Sequence, residues 1–248
     1  MRRFSSFSGL FAIFFLLVIW QIFATSGIIN PFFTSYPTKI LSSLINLFSS
    51  GFIYKHLTTS AYEFFLGLLI GVSLGIILGI AIGWYKTINN LANTFVTIFY
   101  VTPVIALIPL LIVWFGVGVT TKIVVVALAT FFPMVINVRT GIRNVNPEHV
   151  RVAKSFGAGD FQIFCTVALP HSLPYILSGL RLSLGRALAG VIVAELYGAR
   201  SGLGYLMTLF SSTFAIDKLM AVILIFIATG ITLTQIIHFA EQRLKYRL

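Results

Sequence analysis

The sequence predicts an all-α, polytopic membrane protein, on three observations. Of 248 residues, 58% are hydrophobic and 9% charged, and mean hydropathy is +1.01. A soluble domain carries about a quarter of its residues as charge. The 17 Lys+Arg and 6 Asp+Glu present here are too few to cover a water-facing surface. The apolar residues fall in runs long enough to cross a hydrocarbon core about 30 Å thick. Finally, the basic residues lie between those runs, where they act as topology signals. This placement also argues against nucleic acid as the reason for the +11 charge, because a nucleic-acid binder gathers its basic residues on a soluble face. A disordered chain is excluded by the hydrophobicity. An intrachain disulfide scaffold is excluded because Cys165 is the only cysteine.

Six spans are expected, over 9–29, 64–84, 94–115, 121–138, 173–197 and 217–238, within one transmembrane domain covering 1–248. Arg2 and Arg3 ahead of the first run also fit a signal peptide. That run is long and ends in no small-residue cleavage site, so an uncleaved span is expected. Orientation follows from Lys and Arg. With the N-terminus inside, ten fall in the cytoplasm: Arg2, Arg3, Lys86, Arg139, Arg143, Arg151, Lys154, Arg243, Lys245 and Arg247. Five fall outside: Lys39, Lys55, Lys122, Arg200 and Lys218. Both termini are therefore expected in the cytoplasm.

In the outer connection, 30–63, Ile40, Leu41, Leu44, Ile45 and Phe48 recur at helical spacing. Pro37 suits a first turn, with Ser35 or Thr34 as cap, and a short helix in the outer interface is expected. The second span carries Gly67, Gly71, Gly75, Gly79 and Gly83, one every four residues. In lipid such a stripe lets another helix approach closely, from this chain or from a second copy. Tyr100, Thr102 and Pro103 interrupt the third span early. Pro103 and Pro109 free backbone carbonyls, which fits either a path lining or kinked packing.

The inner connection, 139–172, holds the sequence NPEHVRVAKSFGAGDFQIFCTVALPHSLP over 146–174. Asn146 followed by Pro147 is a helix start. Val150, Ala153 and Phe156 form a short apolar face, and Gly157 stands where a helix end favours a left-handed residue. Asp160 is expected to cap a second helix with Phe161, Phe164 and Cys165 on its apolar face. Pro170 is expected to stop that helix, and Pro174 to sit in the first turn of the fifth span. Apolar residues at helical spacing outside the membrane need burial, either on the chain's own inner face or in a groove of a soluble partner.

The fifth span contains Arg181, Arg186 and Glu195. Charges at such depth are functional candidates. Arg181 is expected to snorkel to the inner interface. Arg186 lies deeper by about 7 Å at ~1.5 Å per residue; it either ties helices together or faces a path. Glu195 is expected to pair with Arg200 or to cap the outer loop, where Gly198, Gly202 and Gly204 widen backbone choice. The four histidines show no metal-ligand spacing, so no metal site is expected. No nucleophile–base constellation stands out. No lysine follows a glycine, so there is no phosphate-binding loop. A self-sufficient secondary transporter would need internal repeats or coupling-ion sites, and neither is visible.

The inner loop resembles the signature loop of permease subunits of binding-protein-dependent ABC importers. That pattern is Glu-Ala-Ala, three residues, Gly, nine residues, Ile, one residue, Leu-Pro. Aligned on Gly157, it places Arg151, Val152 and Ala153 first, then Val167 at the Ile position, then Leu169 and Pro170. Arg151 replaces Glu and Val152 replaces Ala. The stretches TPVIALIPLLIVWFGVGVTTK at 102–122 and GLRLSLGRALAGVIVAELYGARSGLGYL at 179–206 resemble the subgroup importing nitrate, sulfonates, taurine or bicarbonate. Importers of pyrimidine and riboflavin precursors share much of it and are the alternative.

The resemblance implies a bacterial inner-membrane subunit that pairs with a second copy of itself. A cytoplasmic ATP-binding subunit would dock on Arg151, Ala153, Gly157, Ala158, Val167, Leu169 and Pro170. ATP and Mg would be held by that partner, with no cofactor in this chain, and an extracytoplasmic solute-binding protein would deliver substrate. Path candidates are Tyr100, Thr102, Pro103, Arg186 and Glu195. Outer-gate candidates are Gly202 and Gly204.

Overall fold

The computed structural model describes residues 2–245, and every element among them is helical. In chain order these are α1 (Arg2–Thr25), α2 (Pro31–Thr34), α3 (Pro37–Ser49), α4 (Phe52–Trp84), α5 (Lys86–Val101), α6 (Val104–Phe115), α7 (Val119–Arg143), α8 (Pro147–Ser155), α9 (Asp160–Ile163), α10 (Leu169–Leu196), α11 (Leu203–Ser212) and α12 (Ile216–Lys245). A π-helical turn, Phe164–Ala168, joins α9 to α10.

Four helical stretches are long and apolar enough to cross a membrane: α4, α7, the run Asp160–Leu196, and Ile216–Phe239 of α12. The pair α5 and α6 makes a fifth only if two helices bent by 98° count as one span. The expected six is therefore not reached among the described residues. The expected first span falls on α1, whose Phe11–Thr25 portion is a shorter apolar helix. Arg2, Arg3, Arg243, Lys245 and Arg247, used to orient the chain, lie outside the described side chains.

The chain divides into two compact units. One comprises residues up to Thr59 together with Arg200–Ile227. Its core joins Ile40 and Leu47 of α3, Ile53 of α4, Leu203, Leu206 and Phe210 of α11, and Ala221, Val222 and Ile225 of α12. Pro37 opens α3, but the N-cap is Tyr36, in extended backbone, rather than Ser35 or Thr34. The buried face of α3 is Ile40, Ser43 and Leu47. Leu41 and Ile45 lie off this face and are exposed, as an interfacial helix allows, while Ser43 donates a hydrogen bond to the Asp217 carboxylate. Gly202 adopts φ +116°, and its amide donates to Nδ1 of His56 at 3.2 Å. Gly204 is not in the loop: it is buried in the first turn of α11.

The other unit comprises Ser60–Ala199 and the chain from Ala228 onward. Its central feature is the glycine stripe, whose neighbour is this chain's own α7. A Cβ added at Gly67, Gly75, Gly79 or Gly83 would lie 2.6–2.7 Å from the Cβ of Val126, Met134, Val138 or Ile142. At Gly71 it would lie 2.0 Å from Thr130 Oγ1 and 2.4 Å from the Ala127 carbonyl. Each glycine meets the residue 59 positions later, so the two helices run parallel. Close approach of this kind supplies the dispersion contacts that hold helices together in lipid. Helix α10 also packs on α7: Ser183 donates to the Thr130 carbonyl at 3.1 Å, and Gly179 lies against Met134 and Asn137.

The entry to the fifth span differs from expectation. Pro170 does not stop the helix, and Asp160–Leu196 is one continuous helical run. The π turn directly before α10 lets the chain pass a proline that has no amide to donate. The helix that carries the fifth span therefore begins before 173, and the Pro-containing joint to the inner loop is itself helical.

Candidate functional site

The expected third span breaks at Thr102–Pro103. The last turn of α5 is closed by Thr102, whose amide and hydroxyl both donate to the Ile98 carbonyl, at 3.1 and 2.9 Å. Pro103 cannot continue a helical ladder and holds extended backbone. The chain then restarts as α6, bent through 98°. In a membrane, non-helical backbone of this kind is tolerated where it lines a cavity or is buried in protein.

A cavity of about 310 Å³ lies at the break. One wall is Tyr100 to Ile105; the others are Val125 and Ala129 of α7 and Arg186, Ala189, Gly190 and Val193 of α10. The structure thus brings four expected path residues, Tyr100, Thr102, Pro103 and Arg186, to one place. The guanidinium carbon of Arg186 sits 4.7 Å from the centre of the Tyr100 ring. Among the described residues no carboxylate and no hydrogen-bond acceptor reaches that guanidinium; its contact is the negative face of the ring. Arg181, by contrast, is exposed, with Nη2 3.5 Å from His238 Nδ1.

Glu195 does not line this cavity. It is 1% exposed and accepts a hydrogen bond from Ser60 Oγ at 2.5 Å. Beside it lies the carboxyl of Glu63, which accepts from Lys122 Nζ at 2.7 Å. The side chains of Lys122 and Glu63 are 7% and 0% exposed. Glu63 and Lys122 also keep the 59-residue offset of the glycine stripe, extending that stripe by one step. Lys122, counted above as an outer-loop charge, is therefore a buried partner inside α7. Without it the outer set is four, and the bias keeps its sign. Glu63 escapes the sequence reading because the expected second span begins at 64, one residue too late to include it. The available signal was its place in the four-residue register of the glycines.

The inner loop forms two helices with a bend. Asn146 caps α8, accepting from the Glu148 amide at 2.9 Å. Gly157 takes φ +80°; its amide donates to Lys154 and that of Ala158 to Ala153, at 2.9 and 3.1 Å. This pair of hydrogen bonds is the left-handed helix ending that glycine favours. Asp160 is the first residue of α9, whose cap is Gly159. No residue of α8 is buried. Arg151 is exposed, Ala153 and Ala158 are half-buried, and Phe156 and Phe161 are 86% and 80% exposed. Cys165 is exposed as well. Val167, Leu169 and Pro170 are half-buried, while Phe164 packs edge-on against Trp84. Among the described residues no three His, Cys, Asp or Glu side chains gather where a metal could bind.

Comparison with known proteins matches residues 71–246 to the family described as binding-protein-dependent transport system inner membrane component. The chain is 34% identical over 250 residues to a putative aliphatic sulfonates transport permease of Bacillus subtilis (strain 168), covering 99% of this chain and 90% of that one. It is 32% identical over 211 residues to a taurine transport system permease of Escherichia coli (strain K12), covering 83% and 77%. Among solved structures, an amino acid ABC transporter with histidines aligns with a TM-score of 0.64 at 20% identity, over 82% of this chain and 98% of that one. At that identity the likeness speaks for the fold alone.

Proposed function

The chain belongs to the inner membrane components of binding-protein-dependent transport systems, and we propose that it is the permease of an ATP-driven importer for small sulfonate-type anions. It is a transport subunit and not an enzyme. The substrate class is carried over from the taurine and aliphatic sulfonate permeases it resembles.

The observation that carries the coupling role is the uncovered inner loop. Val152, Phe156 and Phe161 stand out at 55%, 86% and 80% exposure on a short helix pair with a fixed glycine bend. Exposed aromatic side chains on a rigid element suit a groove on a partner, in which two large rings lose water and an amphipathic helix is gripped. The partner we assign is a cytoplasmic ATP-binding subunit, one per permease copy, with ATP and Mg on that subunit. Arg151 stands exposed on α8, Ala153, Gly157 and Ala158 form the bend of the lever, and Val167, Leu169 and Pro170 join it to the fifth span. Closure of two ATP-binding subunits would draw two levers together and reverse the opening of the path. A second copy of this chain completes the path, an extracytoplasmic binding protein loads it, and both termini face the cytoplasm.

Copurification tests this reading. A soluble ATP-binding subunit should be retained by the intact chain, and Gly157→Val should lose it while the chain still inserts. Valine resists the φ +80° that the bend requires, although the space around it is open. Import by this chain alone in vesicles free of ATP would refute the proposal.

A further inference from the structure

We propose that the cavity between the broken third span and α10 is an anion subsite within the permease itself, built for a small alkanesulfonate whose tail carries no charge. The assignment rests on the importer reading only for which anion reaches the cavity; the site follows from its own chemistry.

A guanidinium stays protonated at any physiological pH. At membrane depth such a charge is costly and calls for a counter-charge. Glu63 and Lys122 answer that need within the protein, but the described residues offer Arg186 only the face of Tyr100. A ring face compensates a cation only partly, so the cavity keeps a positive potential that a monovalent oxyanion would neutralise. The side chain is half-buried, with part of its surface open. A sulfonate presents two oxygens to the guanidinium fork, a geometry that lysine does not match.

The rest of the lining selects the tail. Val104, Val125, Ala129 and Val193 are apolar, and the Thr102 hydroxyl already donates to Ile98. A volume of about 310 Å³ exceeds what a bare inorganic oxyanion fills and suits a head group with a few carbons. No carboxylate lines the cavity. An ammonium on the tail, as in an aminoalkanesulfonate, would lose water there without gaining a counter-ion. The subsite should therefore prefer propanesulfonate to taurine.

The test measures binding of 1-propanesulfonate to the full chain in phosphatidylcholine nanodiscs by saturation-transfer NMR, with no ATPase present. Saturable binding is expected for the wild type. It should weaken about tenfold or more in Arg186→Gln, which corresponds to about 1.4 kcal/mol, and recover in part in Arg186→Lys. Ala189→Leu, which fills the cavity without touching the charge, should also abolish it. Taurine and the uncharged propyl methyl sulfone should bind more weakly than propanesulfonate. Unchanged binding in both Arg186→Gln and Ala189→Leu overturns the site, and so does equal binding of the sulfone. Loss of propanesulfonate binding when phosphatidylglycerol is added would assign the cavity to an anionic lipid head group and overturn it too. Failure to retain an ATP-binding subunit, a separate result, would overturn the importer reading and leave the subsite standing.

Discussion

Two groups of charge sit within the apolar helices of the larger unit, and they are built in opposite ways. Glu63 and Lys122 meet at 2.7 Å with almost no exposed surface, and Glu195 beside them accepts from Ser60 at 2.5 Å. Arg186 lies half-buried against a ring, with a cavity of about 310 Å³ before it. A charge that only holds helices together needs its partner inside the protein, because water is too far away to supply one. A charge left facing space can take its partner from a ligand. The difference therefore separates a charge answered within the protein from one that faces a cavity, and depth or charge sign alone would not separate them.

The sharpest way to break the comparison is to remove one member of the sealed pair. Lys122→Met leaves the Glu63 carboxylate buried without its cation. Breaking a buried pair from one side costs about 3–5 kcal/mol, whereas replacing both members with apolar residues is often neutral. Lys122→Met should lower the unfolding midpoint of the purified protein strongly, and the double variant with Glu63→Leu should recover most of it. A mild effect of Lys122→Met would show that the pair is not sealed.

The next largest effect is expected at Gly71, which holds α4 and α7 at the distance the pair requires. Alanine there puts a methyl group 2.4 Å from the Ala127 carbonyl, which is backbone and cannot swing aside. Overpacking of this kind costs about 1–3 kcal/mol. Gly71→Ala should reduce thermal stability, and the loss should shrink when Thr130 is replaced by Ala, since Thr130 Oγ1 is the nearer atom at 2.0 Å. An equal loss in both backgrounds would place the strain on the backbone contact alone.

This packing also explains how much was legible beforehand. Five glycines spaced four residues apart are visible in the sequence, and they do mark a close helix contact; α7 as the neighbour is not visible, because Val126, Thr130 and Met134 carry no matching small-residue pattern. Tyr100, Thr102, Pro103 and Arg186 were legible one by one, since proline and charge are anomalous in a span. Their convergence was not, for it depends on a 98° bend that brings residues some 85 positions apart together. Pro170 misled because a proline normally ends a helix, and the π turn that accommodates it leaves no composition signal. Lys122 misled for a related reason: it stands in the first turn of α7, where a basic residue reads as loop until its partner 59 residues earlier is known.

Arg186→Gln should have a smaller stability effect than either change above. It removes a contact with one ring face, worth about 0.5–1 kcal/mol at an accessible site, and leaves no buried carboxylate behind. The unfolding midpoint should shift far less than in Lys122→Met, even where anion binding is lost. A stability loss equal to that of Lys122→Met would give Arg186 a scaffold role and dissolve the contrast between the two regions.

The smallest effect is expected for Tyr100→Phe, and set beside Tyr100→Leu it decides which part of that side chain matters. The Arg186 guanidinium lies 4.7 Å from the ring centre, so the attraction comes from the quadrupole of the ring face, which phenylalanine shares. Tyr100→Phe should leave both stability and propanesulfonate binding near wild-type values. Tyr100→Leu keeps bulk and apolarity but has no ring face, so it should cost about 0.5–1 kcal/mol in an unfolding titration. Losing the ring should also free the guanidinium to sample other rotamers, which weakens the anion by a few-fold through lost preorganisation. If Tyr100→Phe and Tyr100→Leu behave alike and both weaken binding, the phenol hydroxyl is the active group. The subsite would then contain a second polar contact for the anion, and Arg186 would be one of two groups that hold it.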